Sequence, residues 1–174
     1  LRLSDSPATI SDADLAVMPV IVWMGYSVHG NEGSGTEAAL LLLYHLAAGR
    51  GANLESMLDQ TVILIDPMLN PDGRSRFTTW INGNRGRRPT SDPADREHSE
   101  PWPGGRTNHY WFDLNRDWLP AQLVESQARL EVFHQWRPQF HTDFHEMGSA
   151  STYFFQPGVP KRANPCLLYT SDAA

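Results

Sequence analysis

The feature that most constrains this chain is an almost unbroken apolar run at residues 18–25, in which Val20, Ile21, Val22 and Trp23 follow one another without a polar break. A strand with one wet face alternates apolar and polar side chains. A strand that is apolar at nearly every position has both faces covered, as in a sheet sandwiched between helices. A second run of this kind, Thr-Val-Ile-Leu-Ile-Asp, occupies residues 61–66. Between the two lie stretches of helical character. Residues 37–48 read as a helix buried on one side, with Ser34 or Thr36 as its cap, Glu37 favoured in the first turn by the helix dipole, and Gly49 ending it. Residues 53–60 read as a shorter helical piece. Strand and helix in alternation define an α/β class, here a mixed, mostly parallel sheet flanked by helices.

The remaining segments fill in this frame. Residues 1–17 are polar, with Ser11, Asp12 and Asp14 marking a turn or helical start. Pro67-Met-Leu-Asn-Pro-Asp-Gly73 has the chemistry of a turn, followed by a short helix at 74–80. From 82 to 108 the chain is rich in Pro, Gly, Arg, Asp and Glu and has no apolar period, so it reads as a binding loop or lid and not as a linker. Residues 110–113 fit a short strand. Pro120 suits the first turn of a helix running to about 136, on which Leu123, Leu130 and Phe133 form the core stripe. The last strands fall at 139–145 and 152–156.

At 174 residues the chain is long enough for one domain with a sizeable core. Its net charge of −6 argues against a nucleic-acid partner, which would call for a basic face. No stretch approaches the roughly 18 apolar residues of a membrane span. Residues 166–174 have no pattern of strand or helix and match one reading frame of a transposase end sequence used in making sequencing libraries. They are read as an adapter scar. The single cysteine, Cys166, falls inside that segment, so residues 1–165 offer no disulfide, thiolate ligand or cysteine nucleophile.

Chemistry concentrates just after the first strand, in Tyr26-Ser27-Val28-His29-Gly30-Asn31-Glu32. His and Glu are natural zinc ligands, and a catalytic zinc takes three protein groups and keeps a fourth position open. His29-x-x-Glu32 alone is also what a polar loop looks like. Its position is more telling, because sites in open α/β sheets form at the carboxyl ends of strands. The strand at 139–145 likewise ends in a histidine, His145, with His141 competing for the same role.

With His29, Glu32, Asn70-Pro-Asp-Gly73, Asp113-Leu-Asn-Arg116 and His145 in this order, the chain resembles the zinc carboxypeptidases of the M14 family over about residues 18–160. The order and the spacing, with His145 lying 116 positions after His29, are more specific than any one motif. The resemblance implies one Zn2+ ion held by His29, Glu32 and His145. Zinc in such a site polarises a peptide carbonyl and lowers the pKa of water towards roughly 7. The resemblance further implies that Asp113 orients the first histidine, and that Asn115 and Arg116 hold the free carboxylate of a peptide C-terminus. Arg88, in Asn84-Arg85-Gly86-Arg87-Arg88, matches the arginine that stabilises the oxyanion, with Arg85 and Arg106 as competitors. Trp111 and Trp118 bracket the Asn115-Arg116 pair. The Asn-Pro-Asp-Gly turn shapes the floor of the site.

The implied activity is a zinc-dependent metallocarboxypeptidase acting on peptide or protein C-termini, secreted or periplasmic as many bacterial relatives are. In the family the general base is a glutamate some tens of residues beyond the last ligand, and a tyrosine that closes over the substrate lies between them. Only 29 residues follow His145. Residues 1–165 are therefore expected to be a partial catalytic domain, incomplete at both ends and inactive alone. Glu146, adjacent to a strand-end histidine, reads as structural because neighbouring strand residues face opposite ways. Two other readings compete: an N-acyl amino-acid amidohydrolase of the aspartoacylase and desuccinylase type, and a non-catalytic peptide-binding module.

Overall fold

The computed structural model describes residues 9–148, so the strand expected at 152–156 and the segment at 166–174 lie outside the described residues. The elements run α1 (Asp12–Val17), β1 (Val20–Tyr26), α2 (Gly33–Ala48), α3 (Ala52–Asp59), β2 (Thr61–Asp66), α4 (Pro71–Asn84), α5 (Val124–Trp136) and β3 (Phe140–Phe144), with short 3-10 turns at Arg96–His98 and Leu114–Arg116. The three strands form one sheet in the order β2-β1-β3. Both pairings are parallel, Val20 to Gly25 running beside Thr61 to Asp66, and Val22 to Tyr26 beside Phe140 to Phe144. Parallel pairing brings the carboxyl ends of all three strands to one edge, and that edge is where the candidate ligands emerge.

Burial increases along β1 towards that edge. Val20 is exposed, whereas Trp23, Gly25 and Tyr26 are buried, and burial continues through Ser27, Val28, His29 and Gly30. On one face Trp23 packs against Phe133 of α5, and at the strand ends the Tyr26 and Phe144 rings stack at 4.3 Å. Beyond the sheet, Val28, Leu69 and Leu114 form a cluster with Leu123 packed on it. This cluster ties the loops after β1 and β2 to the segment before α5. In α2, Thr36 and Ala39 are buried while Leu40, Leu41, Leu43 and Tyr44 are exposed. No helix among the described residues is long and apolar enough to cross a membrane.

Several local expectations are corrected. Helix α2 begins at Gly33 and is capped by neither Ser34 nor Thr36. The Thr36 hydroxyl instead donates to the Pro67 carbonyl, with the Ser27 hydroxyl oxygen 2.9 Å away, while the Ser34 hydroxyl donates to Glu146. Asn70-Pro-Asp-Gly73 is the start of a helix and not a tight turn: Asn70 is the N-cap, its Oδ1 accepting from the Gly73 N–H, and Pro71 takes the first helical position, where no donor is needed. Helix α4 then runs to Asn84, into the stretch read as loop. Residues 110–113 form no strand, since Asn108 Oδ1 gathers the Tyr110 and Phe112 N–H groups into a turn. Helix α5 starts at Val124 and not at Pro120, because the Asp117 carboxylate accepts from the Gln122 and Leu123 N–H groups and holds the preceding turn.

Candidate metal centre

His29 stands in the buried loop after β1, Glu32 occupies the position just before α2 without a capping bond from its side chain, and His145 follows the last residue of β3. The loop is drawn tight by Ser27, whose hydroxyl donates to the Glu32 carbonyl at 3.0 Å. Gly30 lets the helix α4 backbone approach, because a Cβ there would fall on Gly73 and Arg74. Gly73 in turn sits under the Gly105 and Thr107 carbonyls, so the loops after β1 and before α5 both close on the start of α4.

The three side chains converge. His29 Nδ1 lies 2.7 Å from Glu32 Oε1, and His145 Nδ1 lies 3.2 Å from Glu32 Oε2. One ligand atom from each residue lies within 4.8 Å of the others, a group able to hold a metal ion. The donor set, two imidazoles and a carboxylate, is that of a catalytic zinc site. Its electrostatics favour positive charge at the centre. Burial pushes the Glu32 carboxyl up, but hydrogen bonds from His145, His29 and the Glu146 N–H outweigh it and hold the group down at about 2. Hydrogen bonds to Asp143 and Glu32 lift His145 to about 10.

Asp113 stands beside His29, Oδ1 being 3.3 Å from Nε2. The orientation closes no hydrogen bond, and Nε2 is buried without one. Burial raises the Asp113 carboxyl, but the Asn115 N–H, Arg106 and His29 bring it below its ordinary value. Asn115 donates its backbone N–H to Asp113. The Arg116 side chain is 70% exposed, with Nε 3.8 Å from Asp113, and so presents its guanidinium to solvent near the cluster. Arg106, one of the alternatives for the oxyanion role, donates through Nε to Asp113 Oδ2 at 3.0 Å, with NH2 in ion-pair contact with the same oxygen at 3.0 Å. Arg88 is exposed on the loop after α4, and among the described residues no hydrogen bond or ion pair ties it to the cluster.

His141 is not among the converging groups. Its ring packs between Trp118 and Phe133, and burial lowers its pKa. Trp118 lies under the Arg129 guanidinium, 3.5 Å from ring centre to carbon. Trp111 is exposed against Trp102. The long loop is stapled down in its second half, where Glu100 accepts from Asn31 and Arg76 donates to the Gly104 and Asn108 carbonyls. Glu146 forms a clasp, its carboxylate accepting from Ser34 while its N–H donates to Glu32.

Residues 8–164 match the M14 peptidase family, the zinc carboxypeptidases. The chain belongs to this family. It is 28% identical over 152 residues to a protein named probable carboxypeptidase 2 from Trichophyton verrucosum, covering 87% of this chain and 22% of that protein. Carboxypeptidase 2 of Trichophyton rubrum is similar to the same extent, and that of Trichophyton tonsurans is 27% identical over the same shares. The chain thus spans less than a quarter of the length of the curated relatives it matches.

Proposed function

We propose that the protein containing this chain is a zinc-dependent metallocarboxypeptidase that hydrolyses the C-terminal peptide bond of peptides. The observation that carries this reading is the convergence of His29 Nδ1 and His145 Nδ1 on the two oxygens of Glu32. These three residues would hold a single Zn2+ ion. When bound, zinc supplies a Lewis acid for the scissile carbonyl and makes water acidic enough to attack near neutral pH.

The chain's own residues bind and orient. Asp113 faces His29 Nε2 at 3.3 Å, a carboxylate placed to accept from that ring once the ring is drawn into line. Arg116 and Asn115 take the substrate's terminal carboxylate, the guanidinium fork matching its two oxygens, and this makes the enzyme an exopeptidase. Arg88 has the oxyanion role by its place in the sequence. Arg106 is its competitor, and comparing kcat of Arg88→Ala and Arg106→Ala assigns the role. Glu146 is engaged by Ser34, which gives it a structural role and not that of a general base.

The test uses the full-length protein with three substrates: a peptide with a free C-terminus, the same peptide amidated, and an N-acyl amino acid. Release of the C-terminal residue from the first alone, abolished by a chelator, is expected. Turnover of the N-acyl amino acid alone would make the protein an amidohydrolase. Peptide binding with no turnover would make it a binding module.

A further inference from the structure

We propose that Asp143 is the positioning residue for the third metal ligand, holding the His145 imidazole so that Nδ1 faces Glu32 and His29. The inference rests on His29, Glu32 and His145 forming a metal site, and it concerns a residue outside that set.

The two imidazoles are fixed by different means. His29 is only 3% exposed, so packing restricts its ring in addition to the 2.7 Å contact of Nδ1 with Glu32. His145 lies one residue past the end of β3, with a side chain 32% exposed, and sheet pairing does not orient it. What holds it is polar. Asp143 is two residues earlier on the strand, so both side chains leave the same face of the sheet. Asp143 Oδ2 lies 3.0 Å from His145 Nε2, a formed hydrogen bond, while Nδ1 on the other side of the ring meets Glu32 Oε2 at 3.2 Å. If Nδ1 is to offer its lone pair to a metal, Nε2 must carry the hydrogen, and the carboxylate stands where that hydrogen is donated. At His29 the corresponding carboxylate, Asp113, comes near without closing the bond.

The backbone of Asp143 is fixed by the sheet. It pairs in register with Gly25, whose other neighbour across the sheet is Asp66. Leu69 and Trp23 close over Gly25, where a Cβ would lie 3.1 Å from the Leu69 side chain. Arg129 of α5 is 7% exposed, and among the described residues its Nε and NH2 have no hydrogen-bond partner. Burial lowers its pKa, and the fields of Asp143, Asp66 and Asp117 act against that loss.

The test measures zinc affinity of the full-length protein by competition with a chromophoric chelator, together with the visible spectrum of the cobalt(II)-substituted protein. The variants are Asp143→Ala, the near-isosteric Asp143→Asn, His145→Ala and, as a control for loosening the strand end, Glu146→Ala. Loss of an orienting carboxylate is expected to weaken zinc binding by about 10–100-fold. Both Asp143 variants should show this loss and shifted cobalt bands, whereas Glu146→Ala should leave the bands in place. If His145→Ala loses zinc but both Asp143 variants keep wild-type affinity and spectrum, the positioning role is overturned and the metal site stands. If His145→Ala binds zinc like the wild type, the metal-site reading fails and this inference with it.

Discussion

Replacing Asn70 by alanine should loosen the fold and the site together, because one buried amide joins three segments. Asn70 is 1% exposed. Its Oδ1 accepts from Gly73 N–H at 2.9 Å, and its Nδ2 donates to the Val28 carbonyl at 3.2 Å and the Arg106 carbonyl at 3.1 Å. Loss of an N-cap costs about 1 kcal/mol. Each carbonyl left without its donor, that of Val28 in a buried bond and that of Arg106 in a part-buried one, adds about 1–2 kcal/mol. Asn70→Ala should therefore destabilise the protein by about 3–5 kcal/mol, and Asn70→Ser, which keeps a capping oxygen, by about 1 kcal/mol less. In urea unfolding followed by tryptophan fluorescence, a slope near 2 kcal/mol/M turns this loss into a midpoint lower by about 2 M. Val28 precedes His29, and Arg106 holds Asp113, so zinc affinity should fall as well. A loss under about 1 kcal/mol, or equal stability for the serine and alanine variants, would refute the claim that this side chain ties the three segments.

Gly30→Ala places a Cβ on the α4 backbone and should cost roughly 3 kcal/mol by the same unfolding measurement. Because His145 is lifted to about 10 and must lose a proton to ligate, zinc uptake by chelator-stripped protein at pH 7 should release about one proton. Calorimetry in buffers of different ionisation enthalpy reads that number, and no release would contradict the assignment. Burial pushes the Asp117 carboxyl up, but the Gln122 and Leu123 N–H groups outweigh it, so its pKa lies below the ordinary value. Its contribution to stability is present above the unfolded pKa and is lost as pH falls through the folded one. Asp117→Asn should flatten this acid limb in thermal midpoints measured between pH 5 and pH 2, in roughly that window. Arg116→Ala should raise KM for free C-termini by at least about tenfold while sparing amidated peptides, which bind poorly in either case.

The parts of the fold legible in sequence are those where one physical cause dominates. The apolar run at 61–66 became β2 with the same bounds, because no competing signal crosses it. Asn70-Pro-Asp-Gly73 misled because asparagine, proline and glycine serve turns and helix starts alike, and only the bonds from Asn70 to Val28 and Arg106 decide between them. Pro120 misled because Asp117, three residues earlier, delays the helix. In the site, His29 and Glu32 were visible from spacing. Arg106 beside Asp113 depends on how a long irregular loop folds, and no local pattern encodes it. Asp143 had a signal, the two-residue period of a strand ending in a ligand, but its meaning required the register of β3 beside β1.

The most direct measurement is the zinc content of the purified full-length protein after exhaustive dialysis, beside that of His29→Ala. One equivalent of zinc in the wild type and almost none in the variant is the result predicted by a His29, Glu32 and His145 metal centre. Equal zinc in both, or none in the wild type, would contradict it.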